Sequence, residues 1–325
     1  MRFIAQRLVH SVFVLWAVVT ILFLMFRLMP GDPLAVYISE TLTEEAQNAI
    51  REQFGLDLPL WRQYLIYLAN LARGELGVSF HIRQPVMTII LSVLPNTLAL
   101  TFTGLVIAYA FGIVAGAFLA WKRGTWIEGT AIPVALATRA APEFWVGMVL
   151  LAIFSFNLGW FPAGGANVAG SFHSSPLDRM LSLDFLHHLA LPALTLALYL
   201  QGLPLLLMRS TMLEVMHEDF VTMARMKGFP ERRIVLNHAA RNALLPVVTA
   251  FTLSLGQLIG GNVVVELVFS WPGLGRILVN AVLSKDYPLA QGAFFLVAFA
   301  LVAMNFVADV LYAALDPRIA HGRAG

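Results

Sequence analysis

Six stretches of this chain, 8–26, 84–121, 144–177, 185–208, 242–265 and 287–308, contain no Asp, Glu, Lys or Arg. Each is long enough to supply the roughly 20 apolar residues with which a helix crosses a hydrocarbon core. Inside that core the backbone must satisfy its own hydrogen bonds, so runs of this length dictate helices. Composition agrees: 59% hydrophobic residues, 12% charged residues and a mean hydropathy of +0.77 lie far from the balance of a water-soluble domain. The reading is an all-α polytopic membrane protein with six spans near residues 8–29, 97–121, 131–156, 186–208, 243–266 and 290–312.

The first span is too long for the h-region of a cleaved leader and is followed by Met29-Pro30-Gly31-Asp32-Pro33 instead of a small-residue cleavage site, so it reads as retained. Six spans put both termini on one side, and the Lys/Arg bias selects the side. Twelve of the 21 Lys and Arg fall on the terminal side and eight on the other, with Arg139 inside a span. That places both termini, and the polar island 209–246, in the cytoplasm. The net charge of +2 follows from this topology and requires no nucleic-acid partner. The organisation expected is an N-terminal transmembrane helix (1–29), an extracytoplasmic helical segment (30–96), a five-span core (97–316) and a short cytoplasmic tail (317–325).

In the external segment, Thr43-Glu44-Glu45-Ala46 reads as a helix start and Gly55 as its end. A second helix is expected from Pro59-Leu60 to Gly74, with Trp61, Tyr64, Leu65 and Leu68 on one face. Such a segment serves either as a lid on the bundle or as a landing surface for an external protein.

The polar island is the segment richest in chemistry. Asp219 is placed to cap a short helix on which Phe220, Met223 and Ala224 share a face, and Gly228 permits the left-handed turn that ends it. Pro230 and Glu231 suit the start of a second helix, which re-enters the membrane at Leu245-Pro246. A helix of this kind either fills a groove in a soluble partner or lies on anionic lipid.

Several chemistries lack their anchors. No glycine precedes any lysine, so there is no phosphate-cradling P-loop, and neither H-E-x-x-H nor G-x-S-x-G occurs. Zero cysteines remove disulfides and thiolate sites. The eight histidines show no metal-ligand spacing; His187 and His188 are adjacent, about 100° apart on a helix, and read as interfacial. No metal site is therefore expected, and with no P-loop any energy the chain uses must come from a partner or an ion gradient. Around Pro142, Arg139 and Glu143 stand at i and i+4 within a span; they either pair across a proline kink or line a polar path. Glu266 and Asp309 lie near span ends and read as structural. The segment holding Trp271, Pro272, Gly273 and Gly275 reads as a tight external turn with its tryptophan at the headgroup level.

An ordered series of motifs over nearly the whole chain resembles the permease subunits of dipeptide, oligopeptide and nickel ABC importers, specifically the B-type half of their heterodimeric pore. The series comprises Leu28-Met29-Pro30-Gly31-Asp32-Pro33, Phe54-Gly55-Leu56-Asp57-Leu58-Pro59-Leu60, Arg73-Gly74-Glu75-Leu76-Gly77-Val78-Ser79-Phe80 and Leu94-Pro95-Asn96-Thr97-Leu98. It continues with His188-Leu189-Ala190-Leu191-Pro192-Ala193-Leu194-Thr195-Leu196, the loop 219–228, Phe269-Ser270-Trp271-Pro272-Gly273-Leu274-Gly275-Arg276 and Ala314-Leu315-Asp316-Pro317-Arg318-Ile319.

The resemblance implies a type I importer architecture in a bacterial or archaeal cytoplasmic membrane. It further implies a second homologous permease, two cytoplasmic ATPases that bind the ATP and Mg, and an extracytoplasmic substrate-binding protein, with no cofactor on this chain. By it, Asp219, Phe220, Thr222, Met223, Ala224, Arg225, Lys227 and Gly228 form the ATPase-coupling (EAA-like) helix. Thr222-Met223-Ala224 and Pro230 depart from the customary motif, and Arg139 stands where a small or hydroxyl residue is expected. Di- and oligopeptides are the implied cargo, with nickel chelates, glutathione or oligosaccharides as alternatives. A gradient-driven carrier or channel, which would need no docking hairpin, is the competing class, and a membrane enzyme a third.

Overall fold

The computed structural model describes residues 2–28, 58–168, 170–172, 174–255 and 262–315, with side chains for residues 4–27 and, within that set, 58–307. The expectations for Thr43, Gly55, the 29–33 motif, the tail 317–325 and the Asp309 side chain lie outside it. The described residues are almost wholly helical, and the only β feature among them is an isolated bridge between Val78 and Pro85.

In chain order the helices are α1 (Arg2–Leu28), α2 (Leu60–Ala72), α3 (Val86–Trp121), α4 (Trp126–Ala140) and α5 (Glu143–Leu150), which continues as a π-helical turn over Leu151–Asn157. Next come α6 (Pro176–Leu181), α7 (Leu183–Leu200), α8 (Gly202–Val215), α9 (Asp219–Met226) and α10 (Glu231–Arg233), followed by a second π-helical turn, Ile234–Ala239. The remainder are α11 (Ala240–Leu255), α12 (Val263–Val268), α13 (Leu274–Leu283) and α14 (Tyr287–Leu315).

Four of these helices, within α1, α3, α7 and α14, are long and apolar enough to span a membrane. Taken together, α4 and the α5–π segment are also long and apolar enough, but they meet at 102°, the geometry of a broken span or a re-entrant loop. Sequence reading expects a kinked but continuous helix over 131–156. The break has a local cause. Pro142 disfavours helical geometry at the residue before it, and Ala141 (φ −67°, ψ 140°) and Pro142 (φ −58°, ψ 130°) are both extended. The sixth expected span, 243–266, starts as α11, crosses residues 256–261 outside the described set, and resumes as the short α12. The membrane itself provides the surroundings for the many exposed large side chains, such as Phe13, Trp16, Phe111 and Val114.

The chain divides into two compact units. The first is built from Met1–Pro95 with Gly273–Gly325. Here α1 lies along α14, and Leu22, Phe26, Val86, Ile90, Leu274, Ala281, Leu289 and Ala293 form the core. Helix α2 packs on α1 through aromatic rings: Phe23 meets Tyr64 edge-on at 5.2 Å and stacks on Tyr67 at 5.7 Å, and the Tyr64 hydroxyl shares a 2.6 Å hydrogen bond with Thr20. The inward face of α2 is thus Gln63, Tyr64 and Tyr67. Trp61 and Leu65, expected on that face, are instead 61% and 56% exposed, because the polar-aromatic side chains find hydrogen-bonding and stacking partners that a leucine cannot use.

The second unit spans Asn96–Pro272. Its organising feature is a stripe of small residues on α3: Gly104, Ala108, Gly112 and Gly116, one every fourth position. A Cβ on Gly104 would lie 2.7 Å from the Leu196 side chain of α7, one on Gly112 would lie 2.9 Å from the Leu205 backbone nitrogen, and one on Gly116 only 2.4 Å from the Leu205 carbonyl oxygen of α8. Between lipid-embedded helices there is little hydrophobic force, so close backbone approach supplies the attraction.

Candidate functional site

The hairpin 209–246 is where the sequence concentrates its polar chemistry, and its geometry follows from its residues. Helix α9 begins after Glu218, an extended residue that occupies the capping position without a side-chain cap. Asp219, expected to be the cap, is instead the first residue of the helix, where its charge faces the positive end of the helix dipole. Val221 and Ala224 are buried, and Phe220 is half-buried beside them. They join Met208 and Met212 of α8, Ile234, Val235 and Ala239 of the π-helical turn, and Ala243 and Val247 of α11 in one apolar cluster. Thr211 Oγ1 donates to the Ala243 carbonyl at 3.0 Å, pinning α8 to α11 beneath the hairpin.

The opposite face of α9 is open. Thr222, Met223, Arg225, Met226 and Lys227 are exposed, Met226 at 82%. The expected face of Phe220, Met223 and Ala224 is therefore split: Ala224 faces inward and Met223 outward, as an eight-residue helix with a narrow apolar stripe must leave its fourth side uncovered. Gly228 ends the helix at φ +75°, the left-handed conformation expected of it. Pro230 then serves as the extended cap of α10, one position before the first helical residue. Arg225 clasps Glu231 across the turn with two hydrogen bonds of 3.3 and 2.9 Å, and the Glu231 carboxylate raises the Arg225 guanidinium pKa further. Arg233 lies over the Phe229 ring at 4.9 Å, and Phe229 stacks on His238. The hairpin is thus a rigid knob whose inner face belongs to the ends of α8 and α11.

Beside the hairpin, Arg209 Nε donates to Glu128 Oε1 at 2.7 Å, and the Gly124 amide donates to Glu128 Oε2 at 2.7 Å. This pair fastens α8 to the start of α4. Sequence reading passed over Glu128; its position three residues into a helix after a glycine turn is the signal that was there to use.

The turn with Trp271 is built differently from expectation. Trp271 is fully buried, so its ring packs inside the protein and does not face headgroups. Its indole N–H donates to the Asn96 carbonyl at 3.0 Å, and its ring meets Phe185 edge-on at 5.4 Å. Asn96 Nδ2 donates to the Pro272 carbonyl at 2.8 Å, and Arg179 donates to Asn96 Oδ1. Next to it Thr97 Oγ1 donates at 2.7 Å to Glu266, which is fully buried. Two separated motifs, Leu-Pro-Asn-Thr-Leu and Ser-Trp-Pro-Gly, are therefore two halves of one buried hydrogen-bonded joint. Gly273 is the extended residue before α13, and Gly275 is buried in its first turn.

Arg139 and Glu143 do not pair. Among the described residues no ion pair joins them; the break at Pro142 puts them on two helices that meet at 102°. Arg139 runs along α8, its Cδ 3.3 Å from where a Cβ on Gly202 would stand. Glu143 opens α5 half-buried, and its Oε1 is shielded from solvent with no hydrogen-bond partner among the described residues. The two carboxyl and guanidinium groups act independently, so Arg139→Gln and Glu143→Gln are expected to shift the thermal midpoint additively, with a coupling below about 0.5 kcal/mol. A double-mutant cycle on the detergent-solubilised protein measures this, and rescue of one variant by the other would contradict it. His187 and His188 are also separate: His187 Nε2 meets the Trp160 carbonyl at 2.7 Å, and His188 Nδ1 meets Asp184.

Residues 112–321 match the family described as binding-protein-dependent transport system inner membrane component, and residues 1–101 match its N-terminal companion. The di/tripeptide transport system permease protein DppB of Pseudomonas aeruginosa is 39% identical, over 99% of this chain and 100% of its own length. The glutathione transport system permease protein GsiC of Escherichia coli is 37% identical, over 98% and 99%. Among solved structures, the inward-facing MetNI methionine ABC transporter superposes with a TM-score of 0.49 at 17% identity, covering 71% of this chain and 97% of that one. With end-to-end identity to permeases, several membrane-spanning helices and a family match over most of its length, this chain belongs to the binding-protein-dependent transport system inner membrane components: it is a multi-pass ABC importer permease, a transport subunit and not an enzyme.

Proposed function

We propose that the chain forms one half of the translocation pore of an ATP-driven importer, that α9 is the element seated in a groove of a cytoplasmic ATPase, and that the cargo is a di- or oligopeptide. The observation that carries the reading is the two-sided hairpin. Its inner face is locked into the ends of α8 and α11, and its outer face offers two flexible methionines flanked by Arg225 and Lys227. Methionine is suited to filling a partner's groove, and a knob joined rigidly to two membrane helices converts movement of the groove into movement of the spans. ATP and Mg belong to the ATPase chains in this reading. A homologous permease completes the pore, a substrate-binding protein docks on the far side, and the Lys/Arg asymmetry supports cytoplasmic termini. The cargo assignment rests on the relatives, whose names give di/tripeptides and the tripeptide glutathione as their solutes.

Purification from the native membrane in mild detergent, followed by mass spectrometry of the bound proteins, tests the arrangement. A second permease and P-loop ATPases are expected to remain bound. Gly228→Val should lower ATPase recovery about tenfold, because a β-branched residue in the left-handed region costs about 1–2 kcal/mol. No atom lies within 4 Å of the position a Cβ would take at Gly228, so the defect is one of backbone conformation alone, and Gly228→Asn should dock nearly normally. Full ATPase recovery with Gly228→Val, or no ATPase at all on the wild-type chain, would refute the docking role.

A further inference from the structure

The first unit holds a cavity of ≈ 180 Å³ that the transport reading does not use. It lies where α1 ends, α2 passes and α14 begins, so it sits at the membrane boundary of two spans. Its polar lining is Arg27, Gln63, Tyr67, Asn70, Glu75 and Gln291.

The charges in it are unusual. Arg27 is half-buried in the last turn of α1, and among the described residues no carboxylate pairs with it; its guanidinium rests 5.8 Å over the Phe23 ring. The ring and the helix C-terminus stabilise a cation without neutralising it. Glu75 lines the same space, yet no ion pair joins it to Arg27. The Tyr67 hydroxyl is shielded from solvent and, among the described residues, is approached by Gln291 without a hydrogen bond of good geometry. Burial pushes the Tyr67 phenol up to about 12, so it remains an O–H donor at physiological pH. A space that sets a cation, a donor hydroxyl, amides and one exposed carboxylate among apolar walls is suited to a small amphipathic ligand carrying an anion and a cation. Ile66 adds an apolar wall, and on α1, the helix that carries Arg27, Ile21, Leu24 and Met25 are all exposed.

The geometry points to a binding site for a phospholipid headgroup of the phosphoethanolamine type, the phosphate against Arg27 and the Tyr67 hydroxyl, the amine toward Glu75, and the acyl chains along α1. The shared chemistry is a phosphate ester, and a membrane lipid is favoured over a soluble phosphate because the cavity lies at the boundary of two spans beside lipid-facing apolar surface. Such a lipid would brace α2 against α1 and α14.

Native mass spectrometry of the assembly, purified from its own membrane and then stripped of lipid, tests this by add-back of phosphatidylethanolamine, phosphatidylglycerol or inorganic phosphate. One phosphatidylethanolamine per chain is expected to bind, about tenfold more weakly in Arg27→Gln and a few-fold more weakly in Tyr67→Phe. Glu75→Gln should erase any preference for phosphatidylethanolamine over phosphatidylglycerol. Equal binding by Arg27→Gln and wild type overturns the site. Displacement of the lipid by inorganic phosphate overturns the lipid assignment in favour of a soluble anion, and preference for phosphatidylglycerol overturns the role of Glu75. If Arg27→Gln does not assemble, Arg27→Lys, which keeps the charge, should still bind lipid, and Tyr67→Phe decides alone: undiminished binding would overturn the site.

Discussion

Gly116→Leu should leave little or no folded protein in the membrane. The Cβ it introduces would stand 2.4 Å from the Leu205 carbonyl oxygen, 2.9 Å from Met208 Cβ and 3.1 Å from the Arg209 backbone nitrogen. Two of those three atoms belong to the backbone of α8 and cannot rotate away, so the helices must separate. Overpacking a core by a few methylenes costs about 1–3 kcal/mol where side chains can yield. Here separation also removes the contacts of Gly112 against Pro204 and Leu205 one turn away, and the cost should exceed about 3 kcal/mol, a large part of a typical domain's stability. Even Gly116→Ala should be clearly destabilising. Gly129 of α4 provides the control, since nothing lies within 4 Å of its Cβ position: Gly129→Ala should be neutral or stabilising by up to about 1 kcal/mol. Membrane-inserted yield and thermal unfolding in detergent report both effects. A well-folded Gly116→Leu protein would mean that α3 and α8 do not approach as described.

The second large effect is expected at Asp286, which has no exposed surface. Its carboxylate accepts from the Ser79 hydroxyl, from the amides of Phe80 and His81 at 3.1 Å each, and from the Leu289 amide at 3.3 Å in the first turn of α14. It therefore ties the tight loop closed by the Val78–Pro85 bridge to the start of a membrane span. Asp286→Ala strands these donors in a buried site, and at about 1–3 kcal/mol for an unsatisfied group the total should reach about 3–5 kcal/mol. Asp286→Asn keeps the shape but turns an amide NH2 toward N–H donors, and should cost roughly half as much. Thermal unfolding, with limited proteolysis of residues 73–85 as the local readout, measures both. Stability within about 0.5 kcal/mol of wild type in Asp286→Ala would show that the loop holds without this anchor.

Much of the candidate site was visible in the residues. Gly228 reads as a left-handed helix end because few other residues tolerate φ near +75°, and Pro230-Glu231 reads as a helix start for equally local reasons. What failed was the assignment of faces. Asp219 against Glu218 as the cap, and Met223 against Val221 as the inward residue, are choices that local propensity leaves within a few tenths of a kcal/mol and that packing against Met208, Met212 and Ile234 then decides. Trp271 shows the same limit. An indole suits a headgroup zone and a buried joint equally well, and only the presence of the Asn96 carbonyl, 175 positions away, selects the second. The Gly104, Ala108, Gly112, Gly116 stripe was legible at a spacing of four and would have predicted the close helix pair.

The sequence by itself determined the solvent, the helical class and the family, because long uncharged runs admit one kind of backbone in lipid and because ordered motifs survive from end to end. Tertiary structure alone decided which distant polar residues meet: Asn96 with Trp271 and Pro272, Thr97 with Glu266, Ser79 with Asp286, Glu128 with Arg209. It also kept Arg139 and Glu143 apart, although four positions on a continuous helix would have joined them. The reason is physical. Helix formation is settled by hydrogen bonds within one segment and by its surroundings, whereas a buried polar group is satisfied by whichever partner the packing of other segments brings within about 3 Å, and spacing along the chain does not encode that distance.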